Sequence, residues 1–210
     1  PQQVDLIIYN AIVVTMNAAG RVLDRGAVAI RGNTIVAVDV ADQVSSAFNA
    51  KETLDARGQI VMPGLINTHT HAPMVLYRGL ADDLALMEWL QEYIFPAEAK
   101  TVTREFVRAG TRLAALEMIQ SGTTSYADMY YFEEEIGRVT RDAGLRGVLG
   151  QTIIQFPVPD AKTPKEELAR TEAFLKEFAG DELVTPAVAP HPMYTVEREA
   201  LRGAGGMADQ

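Results

Sequence analysis

The chain contains no cysteine. Disulfide frameworks and thiolate metal sites are therefore excluded together, as are zinc deaminases built on a His-x-Glu and Pro-Cys-x-x-Cys signature. Any metal must sit on histidines and carboxylates, and histidine is scarce: there are three, His69, His71 and His191. Positive charge is also short. Nineteen Lys and Arg against 28 Asp and Glu leave a net charge of −9. An acidic surface repels phosphate backbones, so no nucleic-acid partner is expected; recognition of a small nucleoside is local and escapes that exclusion. No apolar run approaches the ~18 residues of a membrane span, and no basic region leads into an apolar stretch at the N-terminus. No membrane association is expected, and the cytoplasm is the default location. Apolar material is plentiful: 48% of the residues are hydrophobic, enough to bury a core.

Residues 4–62 are rich in short β-branched stretches. These are Asp5–Tyr9, Ala11–Met16, Ala27–Arg31 and Thr34–Asp39, with Gly32-Asn33 as a hairpin turn between the last two. Asp42–Phe48 has room for a helical turn or two before an extended piece near Thr53–Asp55. Residues 1–59 are thus expected to form a small all-β domain of hairpins. From Ile60 the pattern changes to strands alternating with amphipathic helices, which implies βα units around a parallel sheet. Strands are expected at Ile60–Asn67, Thr123–Met129, Leu145–Ile154 and Leu183–Ala189. Helices are expected at Leu84–Ile94, Arg104–Ile119, Glu133–Ala143 and from Pro164 to about Phe178. Thr163, Pro164 and Glu166 make a capping box with proline at the first helical position. Thr195 is expected to cap a last helix that weakens at Gly203, Gly205 and Gly206.

Four βα units without a Gly-x-Gly-x-x-Gly fingerprint point to a barrel. A closed barrel needs eight strands and about 250 residues. Residues 60–210 are therefore expected to be four units of an incomplete barrel with unpaired edges. The chain reads as a portion of something longer, the remainder coming from the same or another chain.

Side chains at i and i+2 of a strand share a face, so His69 and His71 project together. They end the first barrel strand, on the face where barrel active sites form. Two imidazoles can bind one zinc ion; the spacing alone equally allows a polar pair bonded to neighbouring loops. His191 ends the fourth strand between Pro190 and Pro192, which stiffen its backbone. It reads as a third ligand, a donor to substrate or a loop-locking histidine. Asp128 ends the second strand and either faces the site or holds structure. Glu133-Glu134-Glu135 opens a helix and is expected to be a solvated complement to the helix dipole. Leu86, Trp89, Leu90 and Tyr93 fall on helical spacing, the pattern of core packing.

The segment Asp55-Ala56-Arg57-Gly58-Gln59-Ile60-Val61-Met62-Pro63-Gly64-Leu65-Ile66-Asn67-Thr68-His69-Thr70-His71 resembles the opening of the amidohydrolase superfamily. Its continuation through Tyr77-Arg78-Gly79-Leu80-Ala81-Asp82-Asp83 is similar to the 5-methylthioadenosine/S-adenosylhomocysteine deaminases. Met87-Glu88-Trp89-Leu90, Phe95-Pro96-Ala97-Glu98, Ser121-Gly122-Thr123-Thr124, Ala127-Asp128-Met129-Tyr130 and Ala189-Pro190-His191 agree, and the likeness runs to about Val196. The resemblance implies an α/β fold: the first half of a (β/α)8 metal-dependent hydrolase barrel with part of an N-terminal β-sandwich domain. It implies a mononuclear site in which His69 and His71 supply two ligands. A histidine, an aspartate and a proton-shuttling glutamate are then expected beyond residue 210. Glu98 would hold the ribose hydroxyls, since a carboxylate can accept from two adjacent donors, and His191 would hydrogen-bond the purine. Zinc is the default cofactor; Fe2+, Ni2+ and Mn2+ suit the same donor atoms.

The implied reaction is hydrolytic deamination of an adenosine-type nucleoside, with release of ammonia. In it a bound cation lowers the pKa of its water and a glutamate moves the proton. Some family members use arginines after the third strand to hold the homocysteine carboxylate of the larger substrate. This chain reads Gly150-Gln151-Thr152 there, and the loop Pro159-Asp160-Ala161-Lys162 has no arginine. Lys162 offers only a flexible point charge, which favours methylthioadenosine, adenosine or a related amino-heterocycle. Two alternatives stay open: an amidohydrolase acting on a guanine, cytosine, 8-oxoguanine or triazine ring, and a truncated, non-catalytic half-barrel. Glu98 bears on the first, because a free base has no ribose to hold. Closed homo-oligomers are the ordinary expectation for such enzymes.

Overall fold

The computed structural model describes residues 1–154, 156–191 and 196–208. The chain divides into two compact units, Pro1–Pro63 and Gly64–Gln210.

In the first unit, β1 (Gln2–Val14), β2 (Val22–Arg31), β3 (Thr34–Val40) and β4 (Phe48–Asp55) form a sheet in the order β3-β2-β1-β4. The short β5 (Ile60–Val61) also pairs with β1. The two stretches expected over residues 5–16 are one long strand. The interruption between them is a bulge: the register against β2 slips between Ile8 and Ala11, and Asn10 takes a left-handed φ of 53°, which asparagine tolerates better than most residues. The β2–β3 hairpin turns at Gly32-Asn33, where Arg31 pairs with Thr34. Hairpins do not account for the whole unit, because β1 pairs in parallel with β4 and β5. Parallel neighbours need a long connection, and helix α1 (Ala41–Ala47) lies within it. Val44 of that helix is buried with Val4, Ile7, Ala27 and Ala29.

Ile60 and Val61 do not open the first barrel strand. They pair with Ile12 and Val13 of the first unit. Pro63 follows, and its missing N–H cannot continue a ladder.

In the second unit, β6 (Leu65–Thr70), β7 (Thr123–Tyr130), β8 (Arg146–Ile153) and β9 (Val184–Pro190) lie in chain order. Every neighbouring pair is parallel. Between them run α4 (Arg104–Gln120), α5 (Glu133–Ala143) and α6 (Pro164–Glu177), with α7 (Arg198–Ala208) after β9. Val107, Ala114 and Ala115 of α4, Ile136 of α5 and Phe174 of α6 share one core with Tyr126, Leu149 and Val184 of the strands. Burying each large apolar side chain contributes roughly 1.5–3 kcal/mol.

Local chemistry starts these helices. Thr103 accepts from the Phe106 N–H at the head of α4, and Thr163 from the Glu166 N–H at the head of α6. Glu166 returns its carboxylate to the Lys162 N–H at 2.6 Å, one residue earlier than a capping box predicts. Gly110 lets α4 press on the 3-10 turn Ala72–Tyr77 that follows His71; a Cβ there would lie 2.5 Å from the Pro73 carbonyl oxygen. Helix α7 does not weaken at its glycines. Gly203 faces Leu168 of α6, so its small size permits a close approach. The expected cap at Thr195 lies outside the described residues.

The helix expected over Leu84–Ile94 is longer. It has three joined pieces: α2 (Leu86–Glu88), a π-helical turn at Trp89–Ile94, and α3 (Phe95–Thr101). Pro96 stands where the helix was expected to stop. Instead the backbone widens before it, and the Phe95 N–H donates to the Leu90 carbonyl five residues back, which accommodates a residue with no N–H of its own. Among the described residues no helix is long and apolar enough to cross a membrane.

Candidate active site

His69 and His71 lie two residues apart at the end of β6, and their ring centroids are 5.0 Å apart, nearly perpendicular. His191 follows β9, at the other edge of the sheet, yet its ring lies 5.9 Å from that of His71. A flat sheet would put strands three spacings apart at about 14 Å. The four strands therefore curl so that their C-terminal ends converge, as barrel strands do.

The His71 ring is fixed by its Nδ1, 2.6 Å from the Met129 carbonyl oxygen at the end of β7. A carbonyl only accepts, so Nδ1 carries the proton and Nε2 keeps its lone pair. Burial lowers the His71 pKa and nearby His69 lowers it further, while the bond to Met129 opposes both. Burial likewise lowers His191, helped by the two neighbouring imidazoles; its backbone N–H donates to the Ile153 carbonyl at 3.0 Å. His71 thus presents the neutral, lone-pair form that a metal requires, and its donor set suits a borderline divalent ion. Among the described residues no three His, Asp or Glu side chains converge on one cation position. His69 and His71 provide two nitrogen donors.

A cavity of about 440 Å³ opens beside these rings, within the usual range for small-molecule sites. His71, His191 and Glu98 all line it. Glu98, on α3, is 5% exposed. Burial raises its pKa to about 7, against the pull of hydrogen bonds from the Tyr130 and Tyr131 hydroxyls. The Tyr130 O–H donates to Glu98 Oε1 at 2.7 Å.

The remaining wall is mostly apolar and comes largely from the inserted helix: Leu86, Trp89, Leu90 and Ile94, opposed by Ile154 and Phe156, with Gln91 and Thr152 as polar exceptions. The stripe that looked like core packing is therefore mostly cavity lining. Leu86, which lines the cavity, remains 61% exposed, and Tyr93, which does not line it, is 39% exposed. A second cavity of about 340 Å³ shares Phe95, Glu98, Tyr131 and Phe156 with the first, and Lys162 lines it. Lys162 thus stands one chamber away from the histidines.

One carboxylate reading narrows and another changes. Asp128 is buried, and its Oδ1 accepts the Ala72 N–H at 2.7 Å. It ties the chain after His71 to β7, a structural role. Glu133, Glu134 and Glu135 are not solvated. Glu133 is fully buried and accepts the Tyr130 N–H at 3.1 Å. Glu135 receives Arg104, Arg108 and Arg138, and Glu134 receives Arg104 and Arg170. The cause is the turn before them: Phe132 adopts a left-handed φ of 54°, which takes the chain from strand to helix over the two residues Tyr131 and Phe132 and keeps the first helical turn close to the strand end. Arg104 and Arg170 lie 5.0 and 5.4 Å from the Phe132 ring centre, and its N–H donates to Asp160 at 2.8 Å.

Tyr130 and Tyr131 carry no role in the sequence reading. The alternation Tyr126-x-Asp128-x-Tyr130 was the available signal, since all three fall on the buried face of β7.

A parallel α/β sheet with imidazoles at its C-terminal edge is the arrangement of a barrel enzyme. The chain belongs to the amidohydrolase family, whose model matches residues 60–210. It is 44% identical over 209 residues to the 5-methylthioadenosine/S-adenosylhomocysteine deaminase 1 of Syntrophus aciditrophicus, covering 100% of this chain and 47% of that protein. Among solved structures, an adenosine deaminase from Xanthomonas campestris with bound zinc superposes with a TM-score of 0.97 at 39% identity, over 100% of this chain and 48% of that one. An atrazine chlorohydrolase from Arthrobacter aurescens TC1, complexed with zinc, shares the fold alone, with a TM-score of 0.86 at 21% identity over 97% and 50% of the two chains. The chain spans about half the length of the relatives it matches.

Proposed function

We propose that the chain forms the ligand-holding half of a metal-dependent hydrolase that deaminates an adenosine-type nucleoside and releases ammonia. The observation that carries this reading is the convergence of His71, His191 and Glu98 on one cavity of about 440 Å³. The names of the similar deaminases support it.

His69 and His71 would hold one divalent ion, zinc by default, with further donors from the rest of the barrel. When bound, that ion would supply the Lewis acidity that activates water at neutral pH. His71 is pre-oriented for its part by the Met129 carbonyl, which spares the site the cost of ordering the ring. Glu98 would accept the two ribose hydroxyls, a contact a free base cannot make. His191 would hydrogen-bond the purine edge. Leu90, Ile94 and Phe156 would take the apolar faces of base and sugar substituent and exclude water from the reacting carbon. The group that moves the proton would belong to the remainder of the barrel, and the protein would work in the cytoplasm.

The test is ammonia release by the metal-loaded full-length protein, screened over adenosine, 5-methylthioadenosine, S-adenosylhomocysteine and free amino-heterocycles. Activity is expected on the nucleosides, strongest on those with small or apolar 5′ substituents. Activity confined to free bases would replace this reading with the other amino-heterocycle class. No turnover and no bound metal would favour a non-catalytic half-barrel.

A further inference from the structure

We propose that Tyr130 is a positioning residue that acts through Glu98, fixing one carboxylate oxygen so that the other is presented to the ligand's adjacent hydroxyls. This rests on the assignment of Glu98 to the sugar.

Tyr130 and Glu98 are buried to similar degrees, 4% and 5% exposed, and their hydroxyl–carboxylate bond is 2.7 Å long. The phenol has one proton to give and gives it here, so it cannot donate to a ligand at the same time. Glu98 needs such a partner, and the Tyr131 hydroxyl adds a second one to the same carboxylate. Glu98 sits on an inserted helical segment whose residues Leu86 and Met87 are 61% and 51% exposed, and a glutamate carries several rotatable bonds whose freedom must be lost on binding.

Tyr130, by contrast, is held from three sides. Its N–H donates to buried Glu133, its ring lies 4.8 Å from that of Tyr131, and two residues on, Phe132 is flanked by Arg104 and Arg170. The preceding residue, Met129, orients His71 through its carbonyl. Two consecutive residues of β7 therefore aim the groups at both ends of the cavity. The separation of His71 from Glu98 is set by one rigid strand end rather than by two independent loops, so the depth at which a nucleoside sits is built into β7.

The experiment uses the full-length, metal-loaded protein with Tyr130→Phe, Glu98→Ala and the double variant. For Tyr130→Phe the nucleoside KM is expected to rise about tenfold, the scale of a lost hydrogen bond to a charged group, with kcat within about twofold. That penalty is expected to vanish when Glu98 is already alanine. In protein carrying 13C-labelled glutamate, the Glu98 carboxyl is expected to titrate higher in Tyr130→Phe, because a donor to its charged form is gone.

An equal KM penalty in the Glu98→Ala background would overturn the proposal, since Tyr130 would then act on the ligand or the fold directly. An unmoved Glu98 titration would overturn it whether or not Glu98 binds sugar. Glu98→Ala without effect on KM would sink the sugar assignment instead, and the titration would still report whether the phenol holds the carboxylate. Should Tyr130→Phe fail to fold, 3-fluorotyrosine incorporated at position 130 keeps the contact while strengthening the donor. The Glu98 titration is then expected to move down, and no movement would count against the proposal.

Discussion

The two ends of the cavity are built on opposite terms. At the histidine end, backbone does the holding: the His71 ring is bonded to a strand carbonyl, and the main-chain N–H of His191 to another. At the Glu98 end, side chains do it, with two tyrosine hydroxyls bearing on a carboxylate carried by an inserted helix. A backbone partner survives almost any substitution at its own position, whereas a hydroxyl is lost in one. The partners of Glu98 can therefore be removed by single substitutions, whereas the partner of the His71 ring cannot.

The comparison breaks most completely at His71. His71→Ala is expected to reduce bound metal in the full-length protein below a tenth of stoichiometric and to lower kcat/KM by a factor of 10³ or more. Metal analysis checks the first and initial rates the second; full metal content would refute the ligand assignment.

At the other end the expected effect is confined to affinity. Glu98→Ala should raise the nucleoside KM by roughly 10- to 100-fold and leave metal content unchanged. Glu98 titrates at about 7, and the charged form is the one that accepts two hydroxyls. Below that pH the free protein holds a proton on Glu98 that must leave before binding. KM should therefore rise by about tenfold per unit as pH falls below 7, and level off above it. A KM profile flat between pH 5.5 and 8 would show that the carboxylate does not contact the sugar.

The smallest effect concerns the frame behind the histidines. A methyl at Gly110 meets the Pro73 carbonyl at 2.5 Å, so Gly110→Ala should cost about 1–3 kcal/mol in a denaturant melt. It should disturb the histidine end more than Glu98. A melt unchanged within error would mean that α4 and the turn after His71 separate freely.

What the sequence disclosed follows the same division. The paired histidines were legible because a period of two and a strand end are local facts, and the strand pattern around residues 123–130 and 183–189 fixed where those ends lie. The apolar stripe at Leu86, Trp89 and Leu90 was misread because helical spacing looks the same whether the helix faces a core or a void. Glu134 and Glu135 were misread because arginines that pair with them come from positions such as 104 and 170, some 30 residues away in either direction. Ile60 and Val61 were assigned to the barrel because nothing local distinguishes a strand that pairs backward from one that pairs forward. Glu98 was singled out only through a family resemblance; its surroundings, two tyrosines from another element, have no local signature.

The wide turn before Pro96 also decides which residues can share the cavity. In a regular helix each residue advances 100°, so the apolar residues before the proline and Glu98 after it would be locked in one angular phase. The wide turn at Trp89–Ile94 shifts that phase by a fixed amount. Leu86, Leu90 and Glu98 therefore reach one cavity from directions that a regular helix would not give them. A single imperfect helical turn thus sets how the apolar wall and the carboxylate share that space.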